Sequence, residues 1–132
     1  MTNEIFVLLM AFQVKHLLAD YYWQVAYMYE NKGAKTGWIE PLMMHAGVHA
    51  ATTLVVLGGF FMWNGVAQTA EHKFIFMLAV LFDFVTHFWI DRLKATRKSK
   101  IDESQFWVNL GLDQFAHHVV GILIVLAVAR LV

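Results

Sequence analysis

The stretch Phe74–Asp91, FIFMLAVLFDFVTHFWID, decides how the chain reads. It is apolar enough to sit in a bilayer, whose hydrocarbon core of about 30 Å is crossed by about 20 helical residues. Yet it carries Asp83, His87 and Asp91, each four residues from the next. On an α-helix that spacing stacks three ionisable side chains on one face, one turn apart. An ionisable group at the bilayer centre costs at least about 2.5–3.5 kcal/mol on insertion scales. That face must therefore turn inward, toward partners on other helices.

Three further stretches have the same character: Ile5 to about Tyr22, Pro41 to Trp63, and Phe106 to Val132. The whole chain of 132 residues is 59% hydrophobic and only 15% charged, against about 25% charged in an average soluble domain. With a mean hydropathy of +0.53, neither an ordinary soluble domain nor a disordered chain fits. The length allows one unit, so the expected architecture is all-α: a single transmembrane four-helix bundle over residues 1–132. Ten basic residues cancel ten acidic ones, which argues against a nucleic-acid partner. The absence of cysteine excludes disulfides, thiolate metal sites, cysteine nucleophiles and iron–sulfur clusters.

Polar segments separate the spans: Glu30–Gly37 (ENKGAKTG), Asn64–Lys73 (NGVAQTAEHK) and Lys94–Gln105 (KATRKSKIDESQ). Asn64-Gly65 is a helix stop, Pro41 suits a first turn, and Asp102 with Gln105 reads as a capping box opening the fourth helix. The first stretch lacks a basic leader and an obvious cleavage site, and holds Lys15, His16 and Asp20, so it reads as a span rather than a cleavable signal. Loops one and three carry Lys32, Lys35, Arg92, Lys94, Arg97, Lys98 and Lys100; the opposite side has only Lys73 and Arg130. The positive-inside rule then places these loops in the cytoplasm and both termini outside, in a bacterial inner membrane. Tyr21, Tyr22, Trp23, Trp38, Trp89 and Trp107 fall near that basic side, as interfacial aromatics do.

The polar stripe of the third helix has a counterpart on every other span. Helix one has His16 and Asp20 (HLLAD), helix two His45 and His49 (HAGVH), helix four Asp113 and His117 (DQFAH), each pair again four apart. Four of the ten acids and five of the seven histidines fall on these stripes. Helices alternate in direction, and the stripes lie late, early, late and early in them, so all reach the same depth, with Asp83 somewhat deeper. One polar interior is expected.

Imidazole and carboxylate without thiolate suit a divalent metal, zinc first, with manganese or iron as alternatives, as one ion or two. The expected ligands are His16, Asp20, His45, His49, His87, Asp113 and His117. Asp91, or Asp83, would take a proton, and Arg92 and Lys94, just beyond the stripe, would hold an anionic group. Gln24 and Asn109 extend the stripes of helices one and four and would support the ligands from behind. Ala46 stands where a zincin helix has its glutamate, so the standard metalloprotease motif is excluded. Lys15 either reaches the headgroups or pairs with a bundle carboxylate such as Asp83. His72 reads as solvated, and His118, turned about 100° from His117, as a packing residue.

His16-Leu17-Leu18-Ala19-Asp20 with Gln24, the His45/His49 pair, His87 with Ile90-Asp91 and Lys94, and Asp113-Gln114 with His117 resemble a family of uncharacterised small integral membrane proteins of bacteria and their phages. More distantly, the pattern is similar to membrane-bound metal-dependent hydrolases, from which its spacing departs. The second resemblance implies metal chemistry but no particular reaction. The functional expectation is a metal-dependent hydrolase acting on a membrane lipid or another amphiphilic ester or phosphoester. The alternatives are a proton- or cation-coupled transporter subunit, for which a homo-oligomer would be needed, and a small regulatory membrane protein with a structural metal. A haem protein would have no use for four aspartates, and a carboxylate di-iron bundle uses Glu-x-x-His, whereas no Glu lies in these spans.

Overall fold

Helix ends decide where the polar stripes meet. The structure is a computed structural model that describes residues 2–97 and 99–131. Lys98, counted in loop three, and Val132, the last residue of the fourth expected span, lie outside the described residues. The order is α1 (Thr2–Leu17), continued by one π-helical turn (Leu18–Tyr22), then α2 (Ala26–Asn31), α3 (Ile39–Trp63), α4 (Ala70–Thr96) and α5 (Ser104–Val128), with a closing 3₁₀ turn at Ala129–Leu131. No strand occurs among the described residues. Four helical segments are long and apolar enough to cross a membrane: Asn3–Tyr22, Ile39–Trp63, Ala70–Thr96 and Ser104–Leu131. The chain is thus a multi-pass membrane protein with an all-α four-helix bundle. Only 28–33% of each span is buried, and the outward positions are apolar, among them Phe6, Val55, Leu81 and Phe115. That exterior matches lipid as solvent.

The long helices form a ring in which α1 and α4 each pack on both α3 and α5. Their shared interior divides into two halves. At the end holding the chain termini, Leu8, Phe12, Leu57, Phe60, Phe61, Val120, Ile124, Val125 and Val128 make an apolar core. At the opposite end, under loops one and three, the interior is polar: His16, His45, His49, His87, Asp91, Asp113 and His117 are all buried.

The turn after α3 forms as the Asn64-Gly65 signal predicts. Gly65 adopts φ +61°, the left-handed conformation that favours glycine, and the Val66 and Gly65 amides donate to the carbonyls of Phe61 (3.0 Å) and Met62 (3.3 Å). This pair of bonds is a Schellman motif. Pro41 lies in the first turn of α3, as expected. Three boundaries differ from the sequence reading. The α4 helix begins at Ala70, with Thr69 accepting from the His72 amide at 3.1 Å, and runs on to Thr96, because neither Pro nor Gly interrupts it. Arg92 and Lys94 therefore belong to its last turns rather than to a loop. The capping box does not form: Glu103, not Asp102, precedes the first turn of α5, its carboxylate accepting from the Lys100 amide at 3.1 Å, and Gln105 turns to Asn109 at 3.1 Å. Finally, α2 occupies the segment read as the approach to loop one. It is pinned to the start of α3 by the Tyr27 hydroxyl, which donates to Glu40 at 3.0 Å; this bond holds the phenol above its usual pKa.

Loop one lies flat on the end of α4. Arg92 Nη1 donates to the carbonyls of Lys32 (2.9 Å) and Ala34 (3.3 Å), and its guanidinium sits 4.0 Å over the Trp38 ring. Gly33 makes the approach possible: a Cβ there would stand 2.7 Å from the Ala95 carbonyl oxygen. Gly33→Ala is expected to lift the loop and cost about 1–3 kcal/mol of stability, read as a lower melting temperature in detergent and faster proteolysis at loop one. An unchanged melt and an uncut loop would contradict this packing.

Candidate metal centre

Four aspartates enter the polar half of the bundle, Asp83, Asp91 and Asp113 buried and Asp20 partly exposed, and the three buried ones each have a lysine. Lys15 Nζ lies 2.5 Å from Asp83 Oδ2, Lys32 Nζ 2.8 Å from Asp91 Oδ2, and Lys94 Nζ 2.8 Å from Asp113 Oδ2. Asp20 has no lysine or arginine partner among the described residues. Histidines converge on it instead. Its Oδ1 is 3.0 Å from His49 Nε2, 3.3 Å from His45 Nε2 and 3.9 Å from His87 Nε2; its Oδ2 is 3.2 Å from His16 Nε2. The Gln114 amide donates to the same Oδ2 at 3.2 Å, and its Oε1 lies 3.1 Å from His16 Nε2.

The local backbone aims Asp20. After Leu17, α1 loosens into the π-helical turn Leu18–Tyr22, closed by the Trp23 amide on the Leu18 carbonyl at 2.9 Å. A π turn rotates the residues it contains relative to a regular α-helix, and such turns recur at functional sites. Asp20 sits in its middle, beside the fully buried Ala19.

Hydrogen bonding alone leaves this arrangement unsatisfied. His45 and His87 are 1% and 2% exposed, yet both ring nitrogens of each lack a hydrogen-bond partner. His45 Nε2 is near Asp20 and Asp91, 3.3 Å from each, but in the bonding direction of neither. A buried polar atom left unpaired costs about 1–3 kcal/mol. A metal ion held with Asp20 would give one ring nitrogen of His87 a partner; His45 lies outside that ligand set. His16, Asp20, His49 and His87 offer ligand atoms that all lie within 4.8 Å of one another. Two ligands each about 2.0–2.1 Å from a tetrahedral zinc ion stand about 3.3–3.4 Å apart, a spacing that the Asp20–histidine distances bracket. The donor set therefore fits a cation bound by three imidazoles and a carboxylate.

Two other groups adjoin the first: His45, His87 and Asp91, which shares His87 with it, and Asp91, Asp113 and His117, which shares Asp91 with the second. In the latter, His117 Nε2 lies 3.3 Å from Asp91 Oδ1 and 3.6 Å from Asp113 Oδ1. Lys32 and Lys94 pair with its two carboxylates, whereas Asp20 has only histidines within 4.0 Å among the described residues. The rings of His49, His87 and His117 stack in a column, with centroids 3.4 and 3.9 Å apart.

Behind His87, Asp83 Oδ1 lies 3.8 Å from Nδ1, the nitrogen that points away from Asp20. Asp83 is held by Lys15 and by the Thr53 hydroxyl, 2.5 Å from Oδ2; Lys15 also donates to Thr53 Oγ1 at 2.6 Å and to the His49 carbonyl at 3.3 Å. A carboxylate behind a ligating histidine fixes its ring and tautomer. Asp83 thus lies on the side of His87 away from Asp20, without a hydrogen bond at this separation, where a small shift of the ring would let it orient the imidazole.

The expected ligands His16, Asp20, His45, His49 and His87 come together around one point, with Asp91, Asp113 and His117 immediately beside it. Arg92 is bound to loop-one carbonyls and Lys94 to Asp113. Asn109 is buried but faces Ser99 and Gln105 at the loop end, and Gln24, half-buried, lies beyond the end of the π turn and so does not continue the stripe of α1. His118 flanks the cluster, its ring 5.3 Å from that of His16. His72 is half-buried rather than solvated, with Nδ1 against the Ala67 carbonyl. Three participants escaped the sequence reading: Lys32, Thr53 and Gln114. Gln114 had a signal, its place in the Asp113-Gln114 motif ahead of His117; a lone threonine and a loop lysine had none.

The chain belongs to the family described as a protein of unknown function (DUF3307), whose model matches residues 8–132. No curated protein and no solved structure matches it.

Lys15→Met removes one partner of a buried ion pair and is expected to destabilise the bundle by about 3–5 kcal/mol. Adding Asp83→Asn should return a large part of that loss, since the stranded charge is then gone. Denaturant titration in mild detergent reads both; a single variant as stable as the native chain would show that Asp83 carries no charge there.

Proposed function

We propose that the chain is a metal-dependent hydrolase of the membrane, acting on an ester or phosphoester of a lipid or similar amphiphile. The observation that carries this reading is the convergence of four histidines on Asp20, the one of the four bundle aspartates without a lysine within 4.0 Å among the described residues. His16, Asp20, His49 and His87 would hold the ion, zinc by the chemistry of the donors. Such an ion polarises a bound carbonyl or phosphoryl oxygen and makes a water molecule acidic near neutral pH.

The chain's own groups supply the rest. Asp91 would be the proton acceptor: His45 Nε2 stands between it and Asp20, 3.3 Å from each, and Lys32 beside it stabilises its charge. Asp83, fixed by Lys15 and Thr53, would orient His87. Lys94 holds Asp113, which in turn sets His117 next to Asp91. The centre lies toward the end of the bundle where basic residues gather, the cytoplasmic side of a bacterial inner membrane on the positive-inside rule. An amphiphile diffusing in that leaflet would bring its polar linkage to this depth without leaving the bilayer.

The protein purified with zinc present throughout is expected to retain about one ion per chain by elemental analysis, and Asp20→Asn to lower retention by about tenfold or more. Chelation should abolish release of fatty acid or headgroup from bacterial lipid extract, followed by mass spectrometry, and zinc should restore it. A chain that keeps no transition metal loses this reading. A chain that keeps the metal and carries ions or protons across liposomes, with no lipid cleaved, is a transporter instead.

A further inference from the structure

A polar groove of about 490 Å³ opens at the loop end of the bundle, between loop one, the last turns of α4 and the start of α5. Lys32, Lys94, Arg97, Ser99 and Asn109 line it, with Glu30 as the single acid on its wall among the described residues. Lys32 and Lys94 are fixed rather than free, since each donates a hydrogen bond to a deeper carboxylate, Asp91 or Asp113. An ammonium has three donors, so each keeps two for a guest. Arg97 is exposed and has no side-chain partner among the described residues. Asn109 Nδ2, donating to Ser99 Oγ at 3.3 Å, adds neutral donors at the same wall. Phe106 and Leu110 continue the wall down the side of α5. The groove thus combines the exposed cation of Arg97, the spare donors of Lys32 and Lys94, and an apolar wall of Phe106 and Leu110.

We propose that this groove binds the phosphate-bearing headgroup of an anionic membrane lipid, with Lys32, Lys94 and Arg97 contacting the phosphate and Phe106 and Leu110 the start of the acyl chains. Multiple cations converging at the membrane–water boundary are the chemistry that recognises such headgroups. The apolar wall distinguishes a lipid from free phosphate or a soluble phosphoester. Binding itself is independent of the hydrolase reading; only the fate of the bound lipid rests on that reading. Through Lys32 and Asp91 the bound phosphate would lie one residue from His45 and the metal ligands. The groove also names a substrate class for that reaction, a glycerophospholipid with an exposed phosphate.

The test uses the full chain in neutral detergent, stripped of metal by a chelator, so that loss of the metal reading leaves it intact. Native mass spectrometry with equal amounts of phosphatidic acid and phosphatidylcholine is expected to show retention of the acid about tenfold higher, equivalent to about 1.4 kcal/mol. The double variant Lys94→Gln/Arg97→Gln should bring the two lipids near parity. The charge-preserving Lys94→Arg/Arg97→Lys should keep the preference, which separates recognition from misfolding. Lys35→Gln/Lys100→Gln, equal in charge loss but outside the groove, should keep it too. Equal retention of both lipids by the native chain, or an undiminished preference in the glutamine variant, overturns the proposal. Inorganic phosphate or glycerol 3-phosphate binding as tightly as phosphatidic acid would assign the groove to a soluble anion and overturn it as a lipid site. A native chain that holds zinc and cleaves lipid, yet shows no preference, would sink the groove alone.

Discussion

Charge neutralisation inside an apolar bundle is the constraint on which the rest of this structure depends. A carboxylate in a bilayer needs a cation, and Asp83, Asp91 and Asp113 each have a lysine within 2.8 Å. Four aspartates meet three lysines, and Asp20 is the one left to histidines alone among the described residues. Those imidazoles crowd around it with more lone pairs and protons than one carboxylate can satisfy. The divalent ion we propose among His16, Asp20, His49 and His87 would supply the cation that Asp20 lacks and a partner for one ring nitrogen of His87. The excess positive charge it brings would favour a hydroxide or an anionic guest at the same place.

Much of the remaining fold serves to hold these pairs. Lys32 comes from loop one, which has no business in a membrane interior unless something carries it there. Arg92 does so by gripping the carbonyls of Lys32 and Ala34 while stacking on Trp38. Gly33 lets the loop backbone rest against Ala95. At the other flank, the π turn presents Asp20, and Gln114 bridges Asp20 and His16. The apolar half of the bundle, from Leu8 to Val128, anchors the helices so that the polar half can be built from short, directional contacts rather than from bulk packing.

The four spans were legible because lipid enforces long apolar runs, and the shared interior because Asp and His recur at helical spacing on all of them. Reading depth from alternating helix direction places the stripes together, and the geometry around Asp20 has that form. What the sequence left open was the division of labour among the acids. Asp83 and Asp91 have the same spacing to His87, but Thr53 and Lys15 stand beside one and Lys32 beside the other, and those contacts come from other helices and from a loop. Arg92 and Lys94 look alike as basic residues past a stripe. Only the course of loop one shows that the first binds backbone while the second reaches Asp113. The π turn likewise leaves no pattern in LADYY that an ordinary helix would not.

The central claim is that a single ion sits among His16, Asp20, His49 and His87. X-ray absorption spectroscopy of the zinc-loaded protein tests it most directly. The expected spectrum has a four-coordinate shell of nitrogen and oxygen at about 2.0–2.1 Å with multiple scattering from three imidazoles, and Asp20→Asn alters it while Asp113→Asn leaves it in place. A spectrum of hydrated zinc, or one that responds to Asp113 and not to Asp20, would contradict the account.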